Sequence, residues 1–250
     1  MTLFRALLAC FLVVAALHLV FLVVGQNTAA FGNNAAVGID TAVGIDTASL
    51  TQILAMPVPA AAVAARRDRS RLVRWTIIAL AMSWLGDTVP RFLDGDVAFL
   101  AMVGGFLLAQ IAYIVAFRPF AATSILRLRR GWLAVYAAVF VALLVACLPS
   151  AGVLAPAVVV YGVLLVAMAV LATGLNGITW FGGALFLISD ALIALRTFAD
   201  WRPLTGVLQG LVIMSTYFAA QLLLSLGVLR RSRDTRDPRD TAGERAVAAV

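Results

Sequence analysis

Runs of about twenty apolar residues recur along nearly the whole 250-residue chain, and they restrict its fold more than any other feature. A helix that crosses the hydrocarbon core of a bilayer needs about 20 consecutive, mostly apolar residues. Eight stretches meet or approach that length: residues 3–24, 49–65, 73–92, 97–117, 132–148, 152–173, 178–198 and 206–229. Charged residues make up only 12% of the chain against 63% hydrophobic. A soluble domain carries about a quarter charged residues, so this chain cannot build a water-facing surface of ordinary size. The expected fold is an all-α integral membrane protein. Residues 1–229 form a single bundle of about eight transmembrane helices, and residues 230–250 form a disordered, basic and polar tail.

The stretches are not equally strong. Residues 49–65 are short and hold Pro57 and Pro59, which neighbouring helices can accommodate by re-satisfying the backbone groups a proline frees. Residues 3–24 follow the pattern of a signal peptide in having one Arg before an apolar run. That run exceeds the 7–15 residues of a typical signal core, which favours a retained helix. Between these two stretches lies a polar segment with a perfect tandem hexamer, residues 36–41 and 42–47. Two copies are too few for a repeat architecture, and the segment reads as a duplicated loop.

Arginine placement sets the orientation. All 19 basic residues are Arg. Arg66, Arg67, Arg69, Arg71 and Arg74 fall between the second and third stretches, and Arg118, Arg127, Arg129 and Arg130 between the fourth and fifth. Arg230, Arg231, Arg233, Arg236, Arg239 and Arg245 follow the eighth, while the alternate loops hold Arg91, Arg202 and, if the seventh helix ends early, Arg196. The positive-inside rule then puts both termini in the cytoplasm. The net charge of +7 therefore marks topology and not nucleic-acid binding. The Arg-only, Ala-rich composition points to a GC-rich bacterial genome and so to a multi-pass protein of the plasma membrane.

Few residues offer chemistry. Cys10 and Cys147 both lie inside apolar runs and read as small hydrophobes. His18 is the one histidine and reads as a packing residue. One His and two distant Cys do not make a zinc site of the usual kind, and no metal or cofactor is expected. Gly104, Gly105, Gly182 and Gly183 read as positions of close helix approach. No phosphate loop, serine-nucleophile elbow or dinucleotide fingerprint occurs in a usable context.

Ionisable residues inside membrane spans are costly and mark function by default. Asp87, in Ser83-Trp-Leu-Gly-Asp87, and Asp190, in Gly182-Gly-Ala-Leu-Phe-Leu-Ile-Ser-Asp190, are the two such carboxyls. Each lies about 20 Å past the inner end of its helix at 1.5 Å per residue, which puts both in the outer half of the bilayer. Ser83 shares a face with Asp87 at i−4. Gln110 and Tyr113 share a face of the fourth helix, and Tyr217 and Gln221 share a face of the eighth. In lipid such groups turn inward and bond to one another or to water. A polar cavity between the third, fourth, seventh and eighth helices is expected, with Asp87 and Asp190 converging on it.

Several segments together resemble the YhhN family, eight-helix membrane proteins that include lysoplasmalogenases. They are Thr51-Gln-Ile-Leu-Ala-Met-Pro57, Leu85-Gly-Asp87, residues 106–113, residues 183–190 and Thr216-Tyr-Phe-Ala-Ala-Gln221, in the family's order. The chain departs from that pattern at three positions. Gln52 stands where Lys is common, Gln110 where His is frequent, and Phe218 where a second Tyr often follows. The resemblance implies hydrolysis of the vinyl ether bond of lysoplasmalogens to a fatty aldehyde and a glycerophospho-head group, the lipid entering from the bilayer. Such a bond is cleaved by protonating its double bond to an oxocarbenium ion, to which water adds. Glycosidases meet the related problem with paired carboxyls of different protonation state. Asp87 and Asp190 are the matching pair here, lined by Ser83, Gln110, Tyr113, Tyr217 and Gln221. A proton-coupled transporter using the same aspartates and a non-catalytic scaffold are the competing readings.

Overall fold

A computed structural model describes residues 2–30, 47–199, 204 and 206–235. The tandem hexamer up to residue 46, Arg202, and the tail from residue 236 lie outside these described residues. No strand occurs among them. The helices are α1 (Thr2–Ala30), α2 (Thr47–Ala55), α3 (Pro57–Ala64), α4 (Arg71–Thr88), α5 (Gly95–Phe117), α6 (Ile125–Leu128), α7 (Gly131–Ala151), α8 (Ala155–Ala172), α9 (Gly177–Phe198) and α10 (Gly206–Asp234). Six segments are long and apolar enough to cross a membrane: Leu3–Val24, Arg71–Phe92, Gly95–Leu128, Gly131–Ala172, Gly177–Phe198 and Gly206–Asp234. The apolar segment Ser49–Ala64 is shorter.

The second apolar stretch, read as one helix, is two. The chain breaks at Met56, immediately before Pro57. Proline has no N–H to donate to the carbonyl four residues back, so the Ile53 carbonyl is freed. The indole of Trp84 on α4 donates to it at 3.0 Å. This is the re-satisfaction that a proline in an apolar medium requires. The 42-residue segment Gly131–Ala172 also divides. Gly152 takes φ +51, a left-handed conformation that glycine adopts without steric cost, and α8 folds back against α7. At the other end, α10 continues through Asp234, past the residue 229 at which the sequence ends the last stretch.

Small residues bring the helices together. A Cβ on Gly105 would lie 2.6 Å from the Gly86 backbone, so α4 and α5 touch main chain to main chain. A Cβ on Gly182 would lie 2.9 Å from the Leu224 backbone nitrogen on α10, and one on Gly183 3.0 Å from Ala172 Cβ on α8. The expectation fails at Gly104, where nothing lies within 4 Å. One residue turns a helix face by about 100° at 3.6 residues per turn, so only one of two adjacent glycines can face a given neighbour. The α9 start is pinned by a capping box on Asn176 and Thr179, and the Asn176 amide also donates to the Gly227 carbonyl at 2.8 Å.

The arginine-rich turns gather at one end. The Arg66 guanidinium lies 4.0 Å over the Phe4 ring, and Arg231 lies 5.1 Å over Phe120. Burial, and then the charge of Arg233, hold Arg66 below its ordinary pKa. The first turn of α1, the end of α3 and the last turn of α10 are thus neighbours. His18 meets Thr51 Oγ1 at 3.0 Å through Nδ1 and packs edge-on to Phe218 at 5.5 Å. It docks α1 on α2 and α10, in keeping with a packing role.

Candidate active site

Asp87 sits in the last turn of α4, where Pro90 tightens the helix into a 3-10 turn. Its Oδ1 accepts from Gln52 Nε2 on α2 at 2.8 Å, and its Oδ2 accepts from the Tyr217 hydroxyl on α10 at 2.6 Å. The other end of the Gln52 amide accepts from Arg91, which also donates to Ser49 Oγ at 2.8 Å. Arg91 therefore reaches Asp87 through Gln52. This chain runs from the exposed Arg91 to a carboxyl that is 5% exposed.

Asp190 sits on α9. Its Oδ2 accepts from the Tyr161 hydroxyl on α8 at 2.6 Å and from Gln110 Nε2 on α5 at 3.3 Å. Measured along the helices from Arg71 and Gly177, Asp87 lies about 24 Å and Asp190 about 20 Å in, at 1.5 Å per residue. These two distances along the helices differ by less than one turn. Asp190 borders a cavity of about 90 Å³ between α5, α7, α8 and α9. Asp87 does not border it. Phe106 does, and its ring meets that of Tyr217 edge-on at 5.6 Å. Asp87 and its Tyr217 partner thus stand behind Phe106 as seen from the cavity. The cavity also lies elsewhere than expected, since α7 and α8 form one wall and neither α4 nor α10 contributes to it.

The remaining expected residues form a third group. The Tyr113 hydroxyl donates to Gln221 Oε1 at 2.7 Å, and Gln221 Nε2 donates to Ser83 Oγ at 3.0 Å. All three side chains are fully buried. They join α4, α5 and α10, and none of them borders the cavity. Gln221→Leu is accordingly expected to lower thermal stability in detergent more than turnover. Two buried hydroxyls would lose their partner, at about 0.6–2 kcal/mol by the range for intramembrane bonds. Unchanged stability with lost activity would instead place Gln221 in contact with substrate.

Two polar partners escaped the sequence reading. Tyr161 is a single phenol in the run Val158-Val-Val-Tyr161, which reads as an apolar helix with one amphipathic residue. Gln52 stood out only as a departure from a motif. Because α2 comes from a separate stretch, its register against α4 could not be read from spacing. Among the described residues no group of three or more His, Cys, Asp or Glu side chains is placed to hold a metal ion.

An all-helical bundle with two buried carboxyls, each held by a tyrosine and a glutamine, defines a membrane protein with a polar interior. The YhhN family model matches residues 47–228, and the chain belongs to that family. The matched region begins at α2, so α1 lies outside it. The chain is also similar to the human lysoplasmalogenase TMEM86B, with 42% identity over 73 residues. That alignment covers 29% of this chain and 30% of the human protein. No solved structure matches.

Proposed function

We propose that this protein is a membrane-embedded lipid hydrolase that cleaves the vinyl ether bond of lysoplasmalogen-type lipids. The observation that carries the proposal is Asp190, held by Tyr161 and Gln110 at the border of an apolar cavity. The similarity to a lysoplasmalogenase and membership of the YhhN family support it. In this mechanism the Asp190 carboxyl gives its proton to the vinyl carbon remote from the ether oxygen. The carbon next to that oxygen becomes an oxocarbenium centre, stabilised by the carboxylate just formed. Water adds there, its proton returns to a carboxylate, and the hemiacetal collapses to aldehyde and alcohol. Tyr161 and Gln110 fix Oδ2, so Oδ1 is the oxygen assigned to substrate. Asp87 is the second carboxyl, its charge held behind Tyr217 and Phe106. Aldehyde release from a lysoplasmalogen by protein purified in detergent, followed by mass spectrometry, tests the reading. Intact substrate would reject it.

The chain Arg91–Gln52–Asp87–Tyr217 and the break between α2 and α3 favour a second reading, a proton-coupled transporter. Substrate-dependent proton flux into proteoliposomes without aldehyde release would select it.

We further propose eight spans in a bacterial plasma membrane. They count α2 and α3 as one broken span and α7 and α8 as two, with both termini cytoplasmic. Reporter fusions at residues 40 and 240 are expected to report opposite sides of the membrane. The same side for both would remove the α2–α3 span from the count.

A further inference from the structure

The cavity beside Asp190 extends well beyond the carboxyl. On α9, Leu187, Asp190, Ala194 and Phe198 border it at helical spacing, and Tyr161 and Gly162 border it from α8. The polar pair lies towards one end. Eight residues of α9 separate Asp190 from Phe198, about 12 Å at 1.5 Å per residue. At that far end Phe198 meets Phe99 edge-on at 5.8 Å. Between the ends the walls are almost wholly apolar.

We infer that this cavity receives the hydrocarbon chain of the lipid substrate next to Asp190, and that Ala194 and Gly162, which border it, determine which chains fit. The inference rests on the lipid-hydrolase reading and adds to it the place of the chain and the residues that select it. A phosphate head group cannot take this space. It would stand unpaired among apolar side chains and next to a carboxyl, in a region where charge is costly. Walls of this kind suit an apolar chain, with the bond to be cleaved beside Asp190. Ala194 lies one turn beyond Asp190 on the same face, about 6 Å along the helix at 1.5 Å per residue. At Gly162 an added Cβ would approach the Phe140 ring to 2.8 Å, so any side chain there narrows the passage.

The test compares long-chain and short-chain vinyl ether lysolipids with one head group. Ala194→Leu is expected to lower the ratio of long-chain to short-chain kcat/KM by roughly tenfold or more, the scale of selection by methylene groups in apolar pockets. Val160→Phe, on the outward face of α8, is the control and should keep the wild-type ratio. An unchanged ratio in Ala194→Leu overturns the inference while leaving hydrolysis intact. A second measurement needs neither catalysis nor a variant. An alkyl ether lysolipid, which lacks the vinyl group, carries a diazirine midway along its chain and is crosslinked to the wild-type protein. Labelling of cavity-facing residues of α5, α7, α8 and α9 supports the inference even if no aldehyde is ever released. Labelling confined to outward-facing residues overturns it even if the protein is a hydrolase.

Discussion

Asp190→Asn is expected to remove aldehyde release almost completely while the protein still inserts and folds. Asparagine keeps the size of the side chain and a carbonyl oxygen, so the bond from the Tyr161 hydroxyl can persist. What it lacks is the proton that starts the cleavage. Loss of a positioned general acid typically costs about 10²–10⁴-fold in rate, and of the other hydroxyls that border the cavity, Tyr161 already donates to Oδ2 and Thr197 to the Ile193 carbonyl. Folding should be spared, because an ionisable group within a span costs about 2.5–3.5 kcal/mol on insertion scales and asparagine removes that cost. The measurements are the initial rate of aldehyde formation and the Tm in detergent. Wild-type rates in Asp190→Asn would end the proposed mechanism. Asp87→Asn should also lose hydrolysis if two carboxyls are required. If Asp190→Asn is inactive and Asp87→Asn is not, one carboxyl that gives and retakes a proton suffices.

The helices were legible because lipid demands length and apolarity in every span, and those two properties are written locally. The position of each carboxyl along its helix was legible for a related reason, since helical rise converts residue number into distance. Pairing across helices was legible only in part. Gln110 and Tyr113 share a face of α5, yet they divide their bonds between Asp190 and Gln221. Spacing of three residues puts side chains on one face but leaves them about 4.5 Å apart along the axis, enough to meet different partners. The wall made by α7 and α8 was not legible at all. Tyr161 joins Asp190 through a contact between residues 29 apart, and its register depends on the turn at residues 173–176. That turn is set by Thr173 and Asn176, whose side chains bond Ile125 and Gly227 from other parts of the chain.

The same dependence on one helix face gives the fold its sharpest test, in two neighbouring glycines. Gly105→Leu is expected to destabilise the bundle strongly, whereas Gly104→Leu should be tolerated. A Cβ at position 105 would sit 2.6 Å from both Cα and N of Gly86, and 3.2 Å from the Met82 carbonyl oxygen. Those are backbone atoms, so no rotamer change relieves the contact and α4 must move away from α5. Over-packing ordinarily costs about 1–3 kcal/mol. A rigid backbone on both sides puts this case at the upper end, roughly 6–12 °C in Tm for a chain of this size. Position 104 meets nothing within 4 Å, and an added leucine there only extends an apolar helix surface. The effect also reaches the site. Gly86 precedes Asp87, so any displacement of α4 draws the carboxyl away from Tyr217 on α10 and Gln52 on α2, which hold it at 2.6 and 2.8 Å. Size-exclusion profiles and thermal unfolding in detergent measure both variants side by side. Equal tolerance at the two positions would mean that α4 and α5 do not meet through Gly86 and Gly105, and the placement of Asp87 would fall with that contact.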